Sequence, residues 1–396
     1  MEIQEISKEE YDHYLNTVQI TSFLQTSPMS SVLEVNDNET KFLALSNEGE
    51  ILAVALVLIR GILGGVRIDL MAGAISAKPE NEYIFYDKLK SYVKQKNCLK
   101  LVVKPNRTYC KLDQDGNLIG SVNYNCLENM KKIGYMANDG SVSPFEGEPD
   151  YQFVKSLNDF SPFNDTELLK SFNKNAQRKI TKGKEIDLKV RALGKDELEE
   201  FKSLTLETSQ RQGFRDLPLK YYQAFFESFS ENAEFLTAEI DLNHSIQKLY
   251  DITEELNKSP KKNKQRVESL RKEIKNLEEL KEHTDNNIIQ LANMIIVYMK
   301  NQAIYFIGGS RTEYQKLPGA FMIQFEAMKR TIQRNIPLYN FFGVEGNFDG
   351  SDGVLRFKKN FNGYIIRNAG SFIYYPHPFK YNVIQTLKNI KNRIIG

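Results

Sequence analysis

The sequence predicts an α+β protein: two similar mixed-sheet units in tandem, with an antiparallel helical hairpin set into the second. Three observations predict it. The same order of elements (helix, antiparallel strands, helix, strand) reads twice along 396 residues. A charged amphipathic stretch at 243–287 interrupts the second reading. Apolar residues make up 41% of the chain, enough for the cores of two ordinary domains.

The first unit opens with Ile6-Ser7-Lys8-Glu9-Glu10-Tyr11, where Ser7 and Glu10 have the spacing of a capping box that starts a helix. Phe42–Leu45 reads as a strand, Ser46–Glu50 as a polar turn, and Ile51–Ile59 as the returning strand. Arg67–Met71 is the next strand, Phe85, Leu89, Tyr92 and Val93 mark one face of a helix, and Leu99–Val103 closes the unit. The second unit repeats the order: Leu193–Phe201, Phe235–Ala238, Ile288–Tyr298, Ala303–Ile307, a helix marked by Phe325, Met328 and Ile332, then Leu338–Val344. Phe42 and Phe85 stand 43 positions apart, Phe235 and Phe325 stand 90 apart, and the difference of 47 is about the length of the inserted arm. A hairpin turn tolerates such an insertion because closure entropy grows slowly with loop length.

Within the arm, Ile246, Leu249, Thr253 and Leu256 follow a 3-4-3 spacing that Val267, Leu270, Ile274 and Leu277 repeat. Each seam buries the other. Pro260 cannot continue a helix, so Asn257–Gln265 is expected to be the turn of an arm that projects roughly 25–30 Å. Lys258, Lys261, Lys262, Lys264 and Arg266 crowd its tip with no acid among them. Such a cluster attracts a phosphate backbone without base contacts; the same composition also serves a solvated loop kept soluble by charge.

Three cysteines without a repeated spacing fit a reducing compartment, not a disulfide scaffold. The acidic start Met1–Glu5 has no signal-peptide pattern, and the most apolar run, Ile51–Ile59, is far short of the ~20 residues of a spanning helix. A cytoplasmic protein is expected. Net charge is only +2, but residues 353–396 carry eight basic side chains and no acid, which suggests an anionic partner. Lys380–Ile395 reads as a basic helix with Val383, Ile384, Leu387 and Ile394 roughly on one side, suited either to an anionic bilayer surface or to packing on the domain.

Only four histidines are present, and none stands in a nucleophile or zinc motif; His244 and His283 flank the arm but make no metal site by themselves. Phosphate-cradling glycine motifs are absent too, so no metal or nucleotide cofactor is expected. Three stretches remain. Tyr339–Phe361 is a strand emptying into a glycine-rich loop with Glu345, Asp349 and Asp352, followed by Arg356-Phe357-Lys358-Lys359. In Gln210–Tyr222, Arg211, Arg215 and Tyr221 have the chemistry to hold phosphate or carboxylate. Lys170–Ile180 is a basic helix. Each also has a plain reading, as a surface turn or a solvated helix face.

Four segments together resemble the Fem/Mur aminoacyltransferases, the peptidoglycan branch-forming enzymes: Phe23-Leu-Gln-Thr-Ser-Pro-Met29 (with Gln25), Ser171–Lys179, Arg211–Tyr222 and Tyr339–Phe361. Gly350-Ser-Asp-Gly-Val-Leu-Arg-Phe-Lys358 and Asn360-Phe-Asn-Gly363 are most similar to its streptococcal MurN-type members. The resemblance covers nearly the whole chain. It implies two GNAT-like (acyl-CoA N-acyltransferase) subdomains, residues 1–150 and 151–396, with the arm at 243–287 in the second. It also implies transfer of an amino acid, alanine by the MurN likeness, from aminoacyl-tRNA to the lysine branch of lipid II, without a cofactor. Both partners are polyanionic, in keeping with the basic tip and terminus.

On that resemblance, Lys358 meets the tetrahedral oxyanion and Phe357 packs against substrate, with Arg356, Lys359, Arg211, Arg215, Tyr221 and Gln25 as further substrate contacts. Asp349 or Asp352 is the candidate base, unless the tRNA itself assists. The sequence departs from the pattern in two places. Met29-Ser30-Ser31 stands where some members have a Trp-x-Lys that holds precursor phosphate, and Leu217 stands where some have an arginine, with Arg215 two positions earlier to compensate. The rival readings are a coenzyme-A-dependent acetyltransferase of the same fold and a non-catalytic tRNA-binding protein. Against the first, Gln315–Ala320 has one residue too many for the pyrophosphate loop.

Overall fold

The computed structural model describes residues 1–396 apart from 20, 21, 36, 37, 214 and 396, and the backbone alone at 260 and 389–395. In chain order its strands are β1 (Glu2–Glu5), β2 (Glu39–Asn47), β3 (Glu50–Ile62), β4 (Gly65–Leu70), β5 (Cys98–Val103), β6 (Thr108–Leu112), β7 (Leu118–Ile119), β8 (Met136–Ala137), β9 (Tyr151–Ser156), β10 (Lys189–Ala192), β11 (Ala233–Asp241), β12 (Ile288–Tyr298), β13 (Ala303–Ser310), β14 (Leu338–Gly343), β15 (Tyr364–Asn368) and β16 (Phe372–Tyr374).

The duplication is visible in the sheets. One runs β1-β2-β3-β4-β5 and the other β10-β11-β12-β13-β14, each with three antiparallel pairings followed by one parallel pairing. A helix follows the fourth strand in both, Pro79–Gln95 in the first and Gly319–Gln333 in the second. Ser7 and Glu10 form the expected reciprocal cap on helix Lys8–Leu15. The turn between β2 and β3 places Glu48 and Gly49 at φ +51° and +89°, the left-handed pair that closes a two-residue hairpin. In the second unit the arm occupies the same connection, between β11 and β12.

Each sheet then continues with strands from the other half. β16, near the C-terminus, pairs with β5 and with β8, while β6 and β7 join the second sheet through β15. The spans 1–150 and 151–396 therefore both contribute to both sheets. A third core lies between the units: Phe23 and Val32 from the first half pack with Phe201, Tyr222, Phe225, Phe229 and Ile304 from the second, all buried. This interface is filled with aromatic rings, each worth about 1.5–3 kcal/mol when fully withdrawn from water.

The arm consists of helices Leu242–Asn257 and Pro260–Glu282. The expected nine-residue turn shrinks to Lys258–Ser259, because Pro260 opens the second helix at its first position, where the missing N–H costs nothing. The arm is also docked along one flank. Leu249, Leu270, Ile274 and Leu277 belong to the second unit's core. Ser245 Oγ donates to Ile186 O at 2.6 Å, Lys248 pairs with Asp187 at 2.8 Å, Lys182 with Glu273 at 2.9 Å, and Arg266 with Glu185. Among the described residues no helix is long and apolar enough to cross a membrane.

Candidate active site

The parallel pair β13–β14 is joined only at Ala303↔Tyr339 and Ile304↔Asn340. Beyond that point β13 follows β12 to Ser310 and β14 follows β9 to Gly343, so the sheet forks. The corresponding pair in the first unit, β4–β5, stays joined from Val66↔Cys98 to Leu70↔Val103. Phe23 of the first unit packs against both prongs of the fork, 4.9 Å from the Phe306 ring and 6.3 Å from the Phe342 ring. Phe342 itself lies at φ +64°, a left-handed conformation that costs a bulky residue energy and persists where its surroundings enforce it.

Those surroundings are polar and buried. Asn340 Oδ1 accepts from Phe342 N at 2.8 Å, and its amide donates to Gln152 Oε1 at 2.6 Å and Gln302 Oε1 at 2.9 Å. Gln152 donates at 3.1 Å to Glu148, whose other oxygen accepts from Ser22 Oγ at 3.0 Å. This chain runs from the first unit to the fork. Burial pushes the Glu148 carboxyl above its ordinary range, against the pull of the Ser22 and Gln152 hydrogen bonds.

From the other side comes Lys358. The loop after β14 returns through Asp352, whose Oδ1 accepts from Val354 N and Leu355 N at 2.8 and 2.9 Å and whose Oδ2 accepts from Glu345 N at 3.1 Å. Asp352 thus caps the helix Gly353–Lys358 and ties the loop to it. That short helix delivers the Lys358 ammonium to the end of β14, where it donates to Gly343 O at 2.6 Å and Phe342 O at 3.4 Å. Lys358 is 4% exposed, and burial lowers its pKa to about 7 against the opposing charge of Asp352. Gly346 is obligatory in the loop: its φ is +80°, and a Cβ there would run into the Tyr151 ring at 2.6 Å.

The other sequence candidates fall in distinct places. Asp349 is exposed and accepts from Ser351 N at 2.8 Å, within the loop. Phe357 packs edge-on against Phe321 and Phe361, while Arg356 faces solvent. Lys359 pairs at 2.8 Å with Asp115 in the β6–β7 turn. Asn360 accepts from Asn173 and Asn175, so two of the four segments singled out in sequence interlock. Gln25 is 1% exposed and acts as a false strand rung, donating to Leu56 O at 3.0 Å and accepting from Leu56 N at 2.8 Å. Tyr221 is buried among Tyr222 and Phe225, and Arg211 holds the end of β13 through Ser310 O and Thr312 Oγ1 at 3.0 and 2.6 Å. Arg215 is exposed. At the arm tip Lys261, Lys262 and Lys264 are exposed on the first turns of the second helix, Lys258 pairs with Glu255, and Arg266 is held by Glu185. Two clefts, about 680 and 600 Å³, open on the first unit, one beside His13 and Tyr14 and one beside Tyr83 and Arg107; Lys358 lines neither. Among the described residues no group of three His, Cys, Asp or Glu side chains is placed to hold a metal.

Sequence reasoning missed Ser22, Glu148, Gln152, Asn340 and Lys155. Lys155, buried between the Phe160 and Phe172 rings at 5.5 and 5.4 Å, has its pKa lowered to about 8 by that burial. Gln152 and Lys155, buried on either side of Phe153 and Val154 in β9, were the available signal.

Two mixed sheets of this order, one of them forked, have the tandem GNAT-type fold. The solved structures agree: a tandem GNAT protein from the clavulanic acid biosynthesis pathway covers 95% of this chain and 99% of its own at a TM-score of 0.52 and 8% identity. The chain belongs to the FemAB family, whose model matches residues 6–389. Among its relatives, the aminoacyltransferase FemA of Staphylococcus aureus is 24% identical with both chains covered in full, and that of Staphylococcus epidermidis is 26% identical over 78% of this chain and 79% of its own. The crystal structure of FemX matches 97% of this chain and 100% of its own at a TM-score of 0.72 and 18% identity. The chain is an aminoacyltransferase.

Proposed function

We propose that the protein transfers an amino acid, alanine in the first instance, from aminoacyl-tRNA to the branch amine on the lysine of a murein precursor, with lipid II as acceptor. The observation that carries this reading is Lys358. It is a buried amine with a pKa of about 7, aimed at two backbone carbonyls beside the fork of the second sheet. An aminoacyl ester is already activated, so the transfer needs an oriented amine, a way to remove its proton and a donor for the developing oxyanion. Near neutrality Lys358 is present in both protonation states. As an ammonium it donates to the oxyanion; as an amine it accepts the proton of the attacking group and returns one to the departing ribose oxygen. Substrate displaces its hydrogen bonds to Gly343 and Phe342.

On this reading Phe357 and Arg356, one and two residues before Lys358 on the same helix, border the acceptor. Asp352 positions Lys358 and is not the base, since both its oxygens are engaged by backbone N–H groups. Lys261, Lys262 and Lys264 meet donor phosphates, and Arg215, exposed like Lys220 in the same segment, is a further contact. The reaction takes place in the cytoplasm, at the inner face of the membrane that holds the acceptor lipid.

The coenzyme-A alternative finds little support at the helix Gly319–Gln333. Phe321 N and Met322 N at its start are already bonded to Pro318 O, and the Phe321 ring covers Phe357. Incubation of the protein with lysine-type lipid II and radiolabelled alanyl-, seryl- and glycyl-tRNA, with acetyl-coenzyme A in parallel, tests the proposal. Label in the lipid from an aminoacyl donor supports it; label from acetyl-coenzyme A alone defeats it.

A further inference from the structure

The terminal helix Pro378–Ile395 leaves a large apolar stripe in water. Phe379, Val383 and Leu387, four residues apart, are 83%, 43% and 58% exposed. Ile384, on the neighbouring row, faces the protein instead: a Cβ on Gly64 would collide with its side chain. Gly64 belongs to the β3–β4 hairpin, whose tip exposes Leu63 at 68% and Ile62 at 36% beside the same helix. The hairpin tip and the helix thus share one apolar rim. Lys380 donates to Asn97 Oδ1 at 2.8 Å, which fixes the helix against the first unit, and exposed Lys94 and Lys388 flank the patch. The sequence carries the same pattern on through Lys391 and Arg393 with no acid after residue 352; the side chain of Ile394 lies outside the described residues.

The structure assigns this rim to an anionic lipid bilayer. The helix lies in the interface with Phe379, Val383, Leu387 and Leu63 among the acyl chains and the lysines at the phosphates. Separated large apolar side chains on one helical row, with cations and no acid on the helix beside them, match the chemistry of such a surface. An RNA partner satisfies the lysines but gives no apolar volume for Phe379 or Leu387. A second copy of the chain, related by a two-fold axis, sets the patch against itself and brings Lys380 and Lys388 towards their own images. The assignment deepens the reading above by naming the face that the enzyme turns to its lipid-linked acceptor, but it stands on this rim and not on the chemistry at Lys358.

The test is flotation of the full-length protein with vesicles of phosphatidylcholine alone or mixed with phosphatidylglycerol. The unaltered protein is expected to rise with the anionic vesicles, less so in high salt, and to stay in the dense fraction with neutral ones. Phe379→Ser with Leu387→Ser, and separately Lys94→Glu with Lys388→Glu, are each expected to reduce the floated fraction about tenfold or more while the thermal transition is kept. Protein that stays dense with anionic vesicles overturns the assignment. So does a serine pair that floats like the parent, or a dimer in sedimentation that the serine pair dissolves. Flotation without aminoacyl transfer to any acceptor upholds the surface and defeats the proposed reaction; transfer to a soluble precursor without flotation does the reverse.

Discussion

The Lys358 ammonium lies 2.6 Å from the carbonyl oxygen of Gly343, at the end of the strand that forms one prong of the forked sheet. That hydrogen bond joins the helix Gly353–Lys358 to the left-handed turn at Phe342, which Asn340 holds from the opposite side. The candidate chemistry is therefore built where two units, a capped helix and a strained strand end converge.

Lys358→Met is expected to lower turnover about 10²-fold or more, the cost of losing an oriented donor to an oxyanion, with donor-tRNA affinity unchanged. Single-turnover transfer and filter binding separate the two. Unaltered turnover removes Lys358 from the chemistry.

The same residue gives a pH signature in stability. Its folded pKa, about 7, lies below the ordinary lysine value of 10.5. Between those values the unfolded chain binds the proton and the folded chain does not, so stability rises as pH rises through this window and its deficit is complete below about pH 7. Lys358→Met removes that dependence. Denaturant midpoints from pH 6 to 10 are expected to climb for the parent relative to the variant, with the variant the more stable at pH 6 by a few kcal/mol at most, since two carbonyls lose their donor. Parallel profiles contradict the burial argument.

Asp352 and Asp349 separate a cap from a base. Asp352→Ala is expected to cost about 0.5–2 kcal/mol and to lower turnover by misplacing Lys358, while Asp352→Asn, whose amide oxygen still accepts, keeps most of both. Asp349→Ala is expected to stay within about twofold of the parent, as an exposed loop position. Loss of turnover in Asp352→Asn at full stability makes that carboxylate a base after all.

The buried chain between the units predicts a coupled effect. Asn340→Leu removes the donor to Gln152 Oε1 and Gln302 Oε1 and the acceptor of the Phe342 N–H, and is expected to destabilise by about 1–3 kcal/mol and to lower turnover through the fork. Glu148→Gln retains an acceptor for Ser22 and is expected to be mild at neutral pH, where a buried carboxylate is already disfavoured. Equal thermal shifts for the two variants contradict this ordering.

At the arm, Lys261→Ala, Lys262→Ala and Lys264→Ala together are expected to weaken tRNA binding and to flatten the slope of log K against log salt by roughly 2, about 0.7–0.9 for each phosphate no longer neutralised. Titrations at several salt concentrations measure it. Turnover at saturating donor is expected to hold.

Much of this fold is legible in sequence because its signals are local. The hairpin β2–β3, the seam residues of the arm and the repeated strand order all declare themselves within short windows. The exchange of β6, β7 and β16 between sheets has no such signal: Phe372 meets Val103, and Ile365 meets Leu112, across more than 250 positions in each case. The docking of the arm is hidden for the same reason, since Glu185 and Arg266 read as ordinary surface charges until they meet. At the site, Lys358 was legible through its motif, whereas the role of Asp352 required the backbone N–H groups it accepts from. The Ser22–Glu148–Gln152–Asn340 chain, spread over three hundred residues, was not legible at all.

The most direct measurement of the central claim is transfer of label from alanyl-tRNA to lysine-type lipid II by the parent and by Lys358→Met, followed by identification of the acylated amine by mass spectrometry. The account predicts an alanyl amide on the lysine branch with the parent and about a hundredfold less with the variant. Donor left esterified and precursor left unmodified across alanyl-, seryl- and glycyl-tRNA, or equal transfer by both proteins, contradicts it.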